Sequence, residues 1–152
     1  GFVDITQTWS RQELQPYIDI LQADKVDAIM TAHVFNAHLD PQDPATLSYM
    51  IINELLRQQL NYHGVVISDD MQMKAIREHY DLKTTLHKAI LAGVDIIVFG
   101  NNTGIFDPQI TFKAKTLIKQ LVEAGQISTE RIDVAYQRIC QLKQKVTSIQ
   151  CR

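Results

Sequence analysis

Cysteine is nearly absent from this sequence. Cys140 and Cys151 are the only two among 152 residues, too few for a disulfide framework, and they read as unpaired thiols. An excess of positive charge is also missing. Lys and Arg number 15 against 17 Asp and Glu, for a net charge of -2, so no basic surface is expected to neutralise phosphates and no nucleic-acid partner is expected. Long hydrophobic runs are absent too. The stretch Val94-Asp95-Ile96-Ile97-Val98-Phe99 is far too short to span a bilayer, so no membrane partner is expected. Gly93, Gly100 and Gly104 do not build a dinucleotide fingerprint, which argues against a Rossmann nucleotide site. The five histidines, His33, His38, His63, His79 and His87, show no His-x-x-x-His or Glu-x-x-His spacing, so no metal is expected. No Gly-x-Ser-x-Gly elbow offers a serine nucleophile. The first residues, Gly1-Phe2-Val3-Asp4, include neither Met nor a signal-like stretch. They read as a chain whose start was removed or as a piece of a longer protein, and carry no information on compartment.

What the sequence does have is an ordinary globular composition, 45% apolar and 21% charged, over a length that suits one domain or part of a larger one. Helical and strand-like segments alternate along it. Ser10 and Glu13 make a capping-box pattern, and Leu14, Tyr17, Ile18 and Leu21 follow at i, i+3, i+4, i+7, which predicts a helix over about 11–22. Residues 26–31 are short and mostly apolar, a strand pattern, and 36–44 hold two prolines, two Asp and an Asn, a loop pattern. Ser48 is placed to cap a second helix with Ile51, Ile52, Leu55, Leu56 and Leu60 on its buried side, and Asn61 stands where a left-handed residue ends a helix. Residues 64–68 predict a second strand. Asp81 caps a helix carrying Leu82, Leu86, Ala89 and Ile90 that stops near Gly93, and 94–99 predict a third strand. A helix over about 112–124 ends at Gly125, and Ser128 caps a last one with Ile132, Tyr136, Ile139, Leu142 and Val146 on one face.

Continuous rather than alternating apolar strands are covered on both faces, which means a parallel sheet with helices outside. The expected fold is therefore α/β: about three parallel strands with flanking helices, a partial TIM-type (β/α) barrel whose full form takes roughly 250 residues. In such a barrel the reactive side chains sit just past the C-terminal ends of the strands. Three places qualify: Thr31-Ala32-His33, Ser68-Asp69-Asp70-Met71 and Gly100-Asn101-Asn102. A carboxylate at Asp69 or Asp70 suits a nucleophile, a base or a metal ligand, and equally a turn in which it caps backbone N–H groups. Successive strand residues point to opposite sides, so the two are expected to do different jobs, one facing the barrel mouth and one bracing a loop. His33 reads as an acid/base or ligand, or as a buried, hydrogen-bonded histidine near the mouth. Met71 reads as filling a gap beneath a loop or lining a pocket, and Asn101 as closing a turn or touching a ligand.

The segments Asp27-Ala28-Ile29-Met30-Thr31-Ala32-His33-Val34, Pro44-Ala45-Thr46-Leu47-Ser48, Leu55-Leu56-Arg57-Gln58-Gln59-Leu60, Gly64-Val65-Val66-Ile67-Ser68-Asp69-Asp70-Met71 and Ala92-Gly93-Val94-Asp95 resemble the family 3 glycoside hydrolases, in particular their bacterial β-N-acetylhexosaminidase branch. Their order and spacing hold over about 3–143. The resemblance implies a retaining hydrolase with Asp69 as the nucleophile, a carbohydrate substrate with terminal β-linked N-acetylglucosamine, and no cofactor. It implies cell-wall fragments, as in peptidoglycan recycling, or chitin oligomers as the source of that sugar, and a bacterial cytoplasm or periplasm as the place. Ser68 and Asp70 would hold the nucleophile, with His33, Met71 and Asn101 as further candidates for lining the site. The family's acid/base His, on a loop after a Lys-His-Phe-Pro-Gly-His-Gly type segment, has no counterpart here and would lie just before Gly1. Residues 1–152 are therefore expected to be the C-terminal half of the catalytic barrel, inactive alone, with the missing N-terminal half-barrel or a second copy as partner. Asn61 departs from the family's frequent Gly, and Asn is the next best residue for that turn. Two other readings stay open: a non-catalytic carbohydrate-binding or assembly half-barrel, and a divalent-metal hydrolase or aldolase-type barrel using Asp69 and Asp70.

Overall fold

A computed structural model describes residues 3–102 and 106–146. Gly1, Phe2, Gly104, Cys151 and the side chain of Val146, all used above, lie outside the described residues. The elements in chain order are β1 (Val3–Asp4), a 3-10 turn (Arg11–Leu14), α1 (Gln15–Gln22), β2 (Ala28–Met30), β3 (Val34–Phe35), a 3-10 turn (Ala45–Leu47), a π-helix (Met50–Gln59), β4 (Val65–Asp70), α2 (Lys74–Arg77), α3 (Leu82–Ala92), β5 (Ile96–Val98), α4 (Ile110–Glu123) and α5 (Thr129–Val146).

The three apolar runs form one parallel sheet in the order β2-β4-β5, with Met30 beside Ile67 and Ile67 beside Ile96. A second parallel pair, β1 with β3, sets Val3 beside Val34 and Asp4 beside Phe35. That pair was not expected, because two-residue strands are too short to display any period. Two helices also differ from expectation. The first opens with a 3-10 turn because Pro16, in the first turn of α1, has no N–H to donate. The second is wide: Leu60 N donates to Leu55 O at 2.9 Å, five residues back. The wider pitch puts Ile52 and Arg57 together on the buried side, a register that an α-type pattern of Ile and Leu does not reveal. Helix ends follow the expected chemistry. Asp81 accepts from Thr84 N at 2.9 Å, Ser48 Oγ from Ile51 N at 3.0 Å, and Asn61 takes φ 55°. Gly93 takes φ 115°, and a Cβ there would lie 2.9 Å from Ile52 Cγ2, so both backbone and space require glycine.

The core lies on the outer face of the sheet, where Val66 packs with Leu47, Ile52, Tyr62, Ile76 and Ala89. Ile90, Leu121 and Ile127 form a smaller cluster between α3 and α4. At the N-terminal ends of β4 and β5 the Asp95 side chain is fully buried. Arg57, Arg131 and Arg138 reach it at 2.9, 3.1 and 3.3 Å, and Val66 N donates to it at 3.1 Å. Burial draws the Arg57 and Arg131 guanidinium pKa values down, and the Asp95 carboxylate opposes this. The inner face of the sheet is open. Met30 is 61% exposed and belongs to the row Met30, Ile67, Ile96. No helix among the described residues is long and apolar enough to cross a membrane.

Candidate active site

The C-terminal end of β4 is irregular, and the irregularity positions the chemistry. Ile67 pairs with Ile96, but Asp70 pairs with Val98, so β4 holds one residue more than β5 over that stretch. Such a bulge re-aims the side chains within it. Ser68, fully buried, compensates: its Oγ accepts from Val98 N at 2.9 Å. Asp69 lies inside the bulge, between Ser68 and Asp70.

Asp70 is where the three strand ends meet. Its Oδ1 accepts from Gln72 N at 3.0 Å and from Gly100 N at 2.9 Å, joining the end of β4 to the end of β5. Its carbonyl oxygen accepts from Met73 N at 3.0 Å and lies 2.9 Å from His33 Nε2, joining both to the end of β2. Its N–H donates to Asp69 Oδ1 at 2.7 Å. This carboxylate therefore braces loops. A Cβ on Gly100 would lie 2.6 Å from Asp70 Oδ2, so the close approach needs glycine there.

His33 is buried, with Nδ1 3.0 Å from Thr46 Oγ1, and Thr46 is fully buried beneath it. Thr46 owes its place to the preceding loop. Asp40 accepts from Gln42 N, Asp43 N and Ser48 Oγ, and Asp43 binds Lys88 Nζ at 2.7 Å and Tyr80 Oη at 3.1 Å, which ties the loop to α3. Desolvation, reinforced by Asp43, pushes the Tyr80 hydroxyl pKa up to about 12, so it stays a donor at neutral pH.

Asp69 faces an open cleft of about 650 Å³ together with Val3, Ala32, His33, Val34, Lys74 and Ala75. The carboxylate is half-buried, with an N–H on one oxygen. The other candidates stand elsewhere. Met71 is 3% exposed and packed into the core. It borders a separate cavity of about 210 Å³ with Gln72, Tyr80 and Phe99, and does not line the Asp69 cleft. The reason is that β4 ends at Asp70: Met71 is already in the turn, its N–H donates to Val98 O at 3.0 Å, and its side chain leaves the strand's alternation to pack into the core with Ile76. Asn101 closes a loop. Its Oδ1 accepts from Asp107 N at 2.8 Å, its Nδ2 donates to Asp107 O at 3.0 Å, and its own N donates to Gln72 Oε1 at 2.7 Å. Thr46 and Lys74 are the site residues the sequence did not single out. Thr46 is brought under His33 by a loop, which leaves no periodic signal. Lys74 was one cation among 15, set apart only by its distance of five residues from Asp69. Among the described residues no group of three or more His, Cys, Asp or Glu could hold a metal ion.

Known proteins share this fold. A glycoside hydrolase family 3 beta-N-acetylglucosaminidase from Paenibacillus superposes with a TM-score of 0.81 at 33% identity, over 99% of this chain and 28% of its own. The beta-N-acetylglucosaminidase of Thermotoga maritima superposes at 0.77 with 27% identity, over 86% of this chain and 28% of its own. A beta-hexosaminidase of Haemophilus influenzae is 30% identical over 91% of this chain and 44% of its own length. Beta-hexosaminidase A of Pseudoalteromonas piscicida is 30% identical over 90% and 25%. The chain thus spans between a quarter and less than half of these relatives. Its sheet of parallel strands with outer helices is part of a TIM-type barrel, as the solved relatives have. The profile of the Glycosyl hydrolase family 3 N terminal domain matches residues 3–142, and the chain belongs to that family.

Proposed function

We propose that this chain is the nucleophile-bearing C-terminal half of the catalytic barrel of a retaining β-N-acetylhexosaminidase. One observation carries the assignment of Asp69. Of the two adjacent carboxylates, Asp70 has an oxygen committed to the N–H groups of Gln72 and Gly100. Asp69 faces the cleft, and the Asp70 N–H that holds it leaves its other oxygen for a substrate. In the reaction an Asp69 oxygen attacks the anomeric carbon and the glycosidic C–O bond breaks. The leaving oxygen takes a proton from a general acid. Water then attacks the same carbon, loses its proton to the conjugate base, and frees the Asp69 carboxylate. The names of the relatives support β-linked N-acetylglucosamine as the sugar released; terminal residues of cell-wall fragments or of chitin oligomers are the proposed source.

The proton donor belongs to another segment. Both ring nitrogens of His33 are held by protein atoms, and Lys74 is the other ionisable side chain beside Asp69 in the cleft. An acid contributes roughly 10²–10⁴-fold, so residues 1–152 alone turn over little or no substrate. The exposed Met30, the outer edges of β2 and β5, and the open cleft support an upstream half-barrel as the missing partner. The test uses the 152-residue chain alone and combined with an upstream half supplied from a relative. It measures release of nitrophenol from nitrophenyl N-acetyl-β-glucosaminide and intact mass after a fluorinated N-acetylglucosaminyl trap. The reading requires activity in the combined sample only, a sugar adduct on Asp69, and loss of both in Asp69→Asn. Sugar binding without turnover in the combined sample refutes it in favour of a non-catalytic carbohydrate-binding module.

A further inference from the structure

A chain of three side chains ends on the residue next to the nucleophile. Thr31 Oγ1 lies 2.9 Å from Thr46 Oγ1, Thr46 Oγ1 lies 3.0 Å from His33 Nδ1, and His33 Nε2 lies 2.9 Å from the Asp70 carbonyl oxygen. Chemistry orders the protons. A carbonyl oxygen only accepts, so Nε2 carries the hydrogen. Nδ1 of the neutral ring then accepts, so the Thr46 hydroxyl donates to it, and the Thr46 oxygen accepts from Thr31. The Asp70 carbonyl therefore selects the tautomer, and the two threonines complement it by supplying a donor to Nδ1. Thr46 is fully buried and His33 is 5% exposed, so water does not compete for these bonds and each broken one leaves a buried polar group unpaired.

Asp70 is held at four points, its carbonyl by His33 and Met73 N and its carboxylate by Gln72 N and Gly100 N. With these fixed, its backbone N–H has one direction, and it points to Asp69 Oδ1 at 2.7 Å. We propose that His33 is a positioning residue that acts through Asp70 to aim the Asp69 carboxylate, with Thr46 and Thr31 holding its tautomer. This rests on the reading of Asp69 as nucleophile. His33 touches no reacting atom. With both nitrogens engaged it neither protonates a leaving group nor ligates a metal.

The experiment uses the complete enzyme that contains this chain, with Asp69→Asn, His33→Ala, His33→Gln, Thr46→Val and Thr46→Ser. Steady-state and single-turnover kinetics are measured on nitrophenyl N-acetyl-β-glucosaminide, with thermal unfolding to confirm that each variant is folded. His33→Ala is expected to slow formation of the glycosyl-enzyme by about 10–100-fold with KM changed by less than about threefold, the pattern of a misaimed nucleophile. His33→Gln, whose amide N–H reaches the same carbonyl and whose oxygen accepts from Thr46, recovers most of that loss. Thr46→Val loses part of the rate and Thr46→Ser restores it. Equal losses in folded His33→Ala and His33→Gln, or a change confined to KM, overturn the proposal. If His33→Ala fails to fold, the Thr46 pair decides: identical rates in the Val and Ser variants overturn it. An active Asp69→Asn enzyme overturns the nucleophile reading and this proposal together. An inactive Asp69→Asn with His33→Ala at the parent rate overturns this proposal alone.

Discussion

Replacing Asp95 by Ala removes the carboxylate on which three guanidinium groups converge. Asp95 has no exposed side-chain surface, and Arg57, Arg131 and Arg138 are 8%, 17% and 20% exposed. Removing one partner of a buried ion pair costs about 3–5 kcal/mol, because the remaining charge stays buried without compensation. Val66 N also loses its acceptor, but that loss belongs to the same network and is not added. Two features hold the cost toward the lower end. Arg57 keeps bonds to Gly64 O and Gly93 O, and Arg131 keeps bonds to Ile90 O and Val94 O. Two others work against relief: Arg57 Nε and Arg131 Nη1 are already buried without a hydrogen-bond partner. The expected loss is about 3–4 kcal/mol, a large fraction of the roughly 5–15 kcal/mol that holds a domain folded. Asp95→Asn costs less, since one oxygen still accepts while the new NH₂ faces a donor. Urea unfolding followed by far-UV circular dichroism reads the change as a midpoint lowered by roughly 1–3 M. The cluster sits at the opposite end of the strands from Asp69, so folded Asp95→Asn enzyme keeps its kcat. A loss below about 1 kcal/mol for Asp95→Ala would refute the reasoning, since it would mean that the arginines are solvated without the carboxylate.

Two more predictions concern pH and close packing. Desolvation pushes the Tyr62 hydroxyl, which donates to Val65 O at 2.9 Å, up to about 12. In the unfolded chain the group ionises near pH 10, so its contribution is complete below about pH 10 and is lost between about pH 10 and 12. Melting temperature should therefore fall over that window, and Tyr62→Phe should fall less steeply. Equal slopes would contradict the assignment. Gly100→Ala drives a Cβ into the Asp70 carboxylate, which the Gly100 N–H itself holds in place. The expected cost is about 1–3 kcal/mol, seen as a melting temperature several degrees lower, and an unchanged melting temperature would show that Asp70 is free to move.

Helix ends and strand cores were legible in the sequence because both are local. Asp81, Ser48, Asn61, Gly93 and Gly125 act on backbone groups within a few residues of themselves. The apolar runs 26–31, 64–68 and 94–99 signal parallel strands, and they became β2, β4 and β5. The π-pitch of Met50–Gln59 was not legible. An i, i+3, i+4 pattern of Ile and Leu is satisfied by an α-helix, whereas the π-pitch goes with the burial of Arg57 against Asp95, a contact 38 residues away in sequence that no local pattern displays.

The candidate site divides in the same way. The sequence by itself marked the places where a site could form: after the strands, at His33, at Ser68-Asp69-Asp70 and at Gly100-Asn101. It also limited the two carboxylates to different sides of the chain, because side chains alternate along a strand. Only the tertiary structure decided which of them faces the cleft. That choice depends on the bulge between β4 and β5, on Ser68 filling the place of a ladder bond to Val98 N, and on Gly100 leaving room for Asp70. It also decided that Met71 belongs to the core and that Thr46 belongs beneath His33. The physical reason is range: capping and periodicity act through bonds a few residues long, whereas Asp70 is held by groups 37 residues before it and 30 after it, which meet only when the sheet has formed.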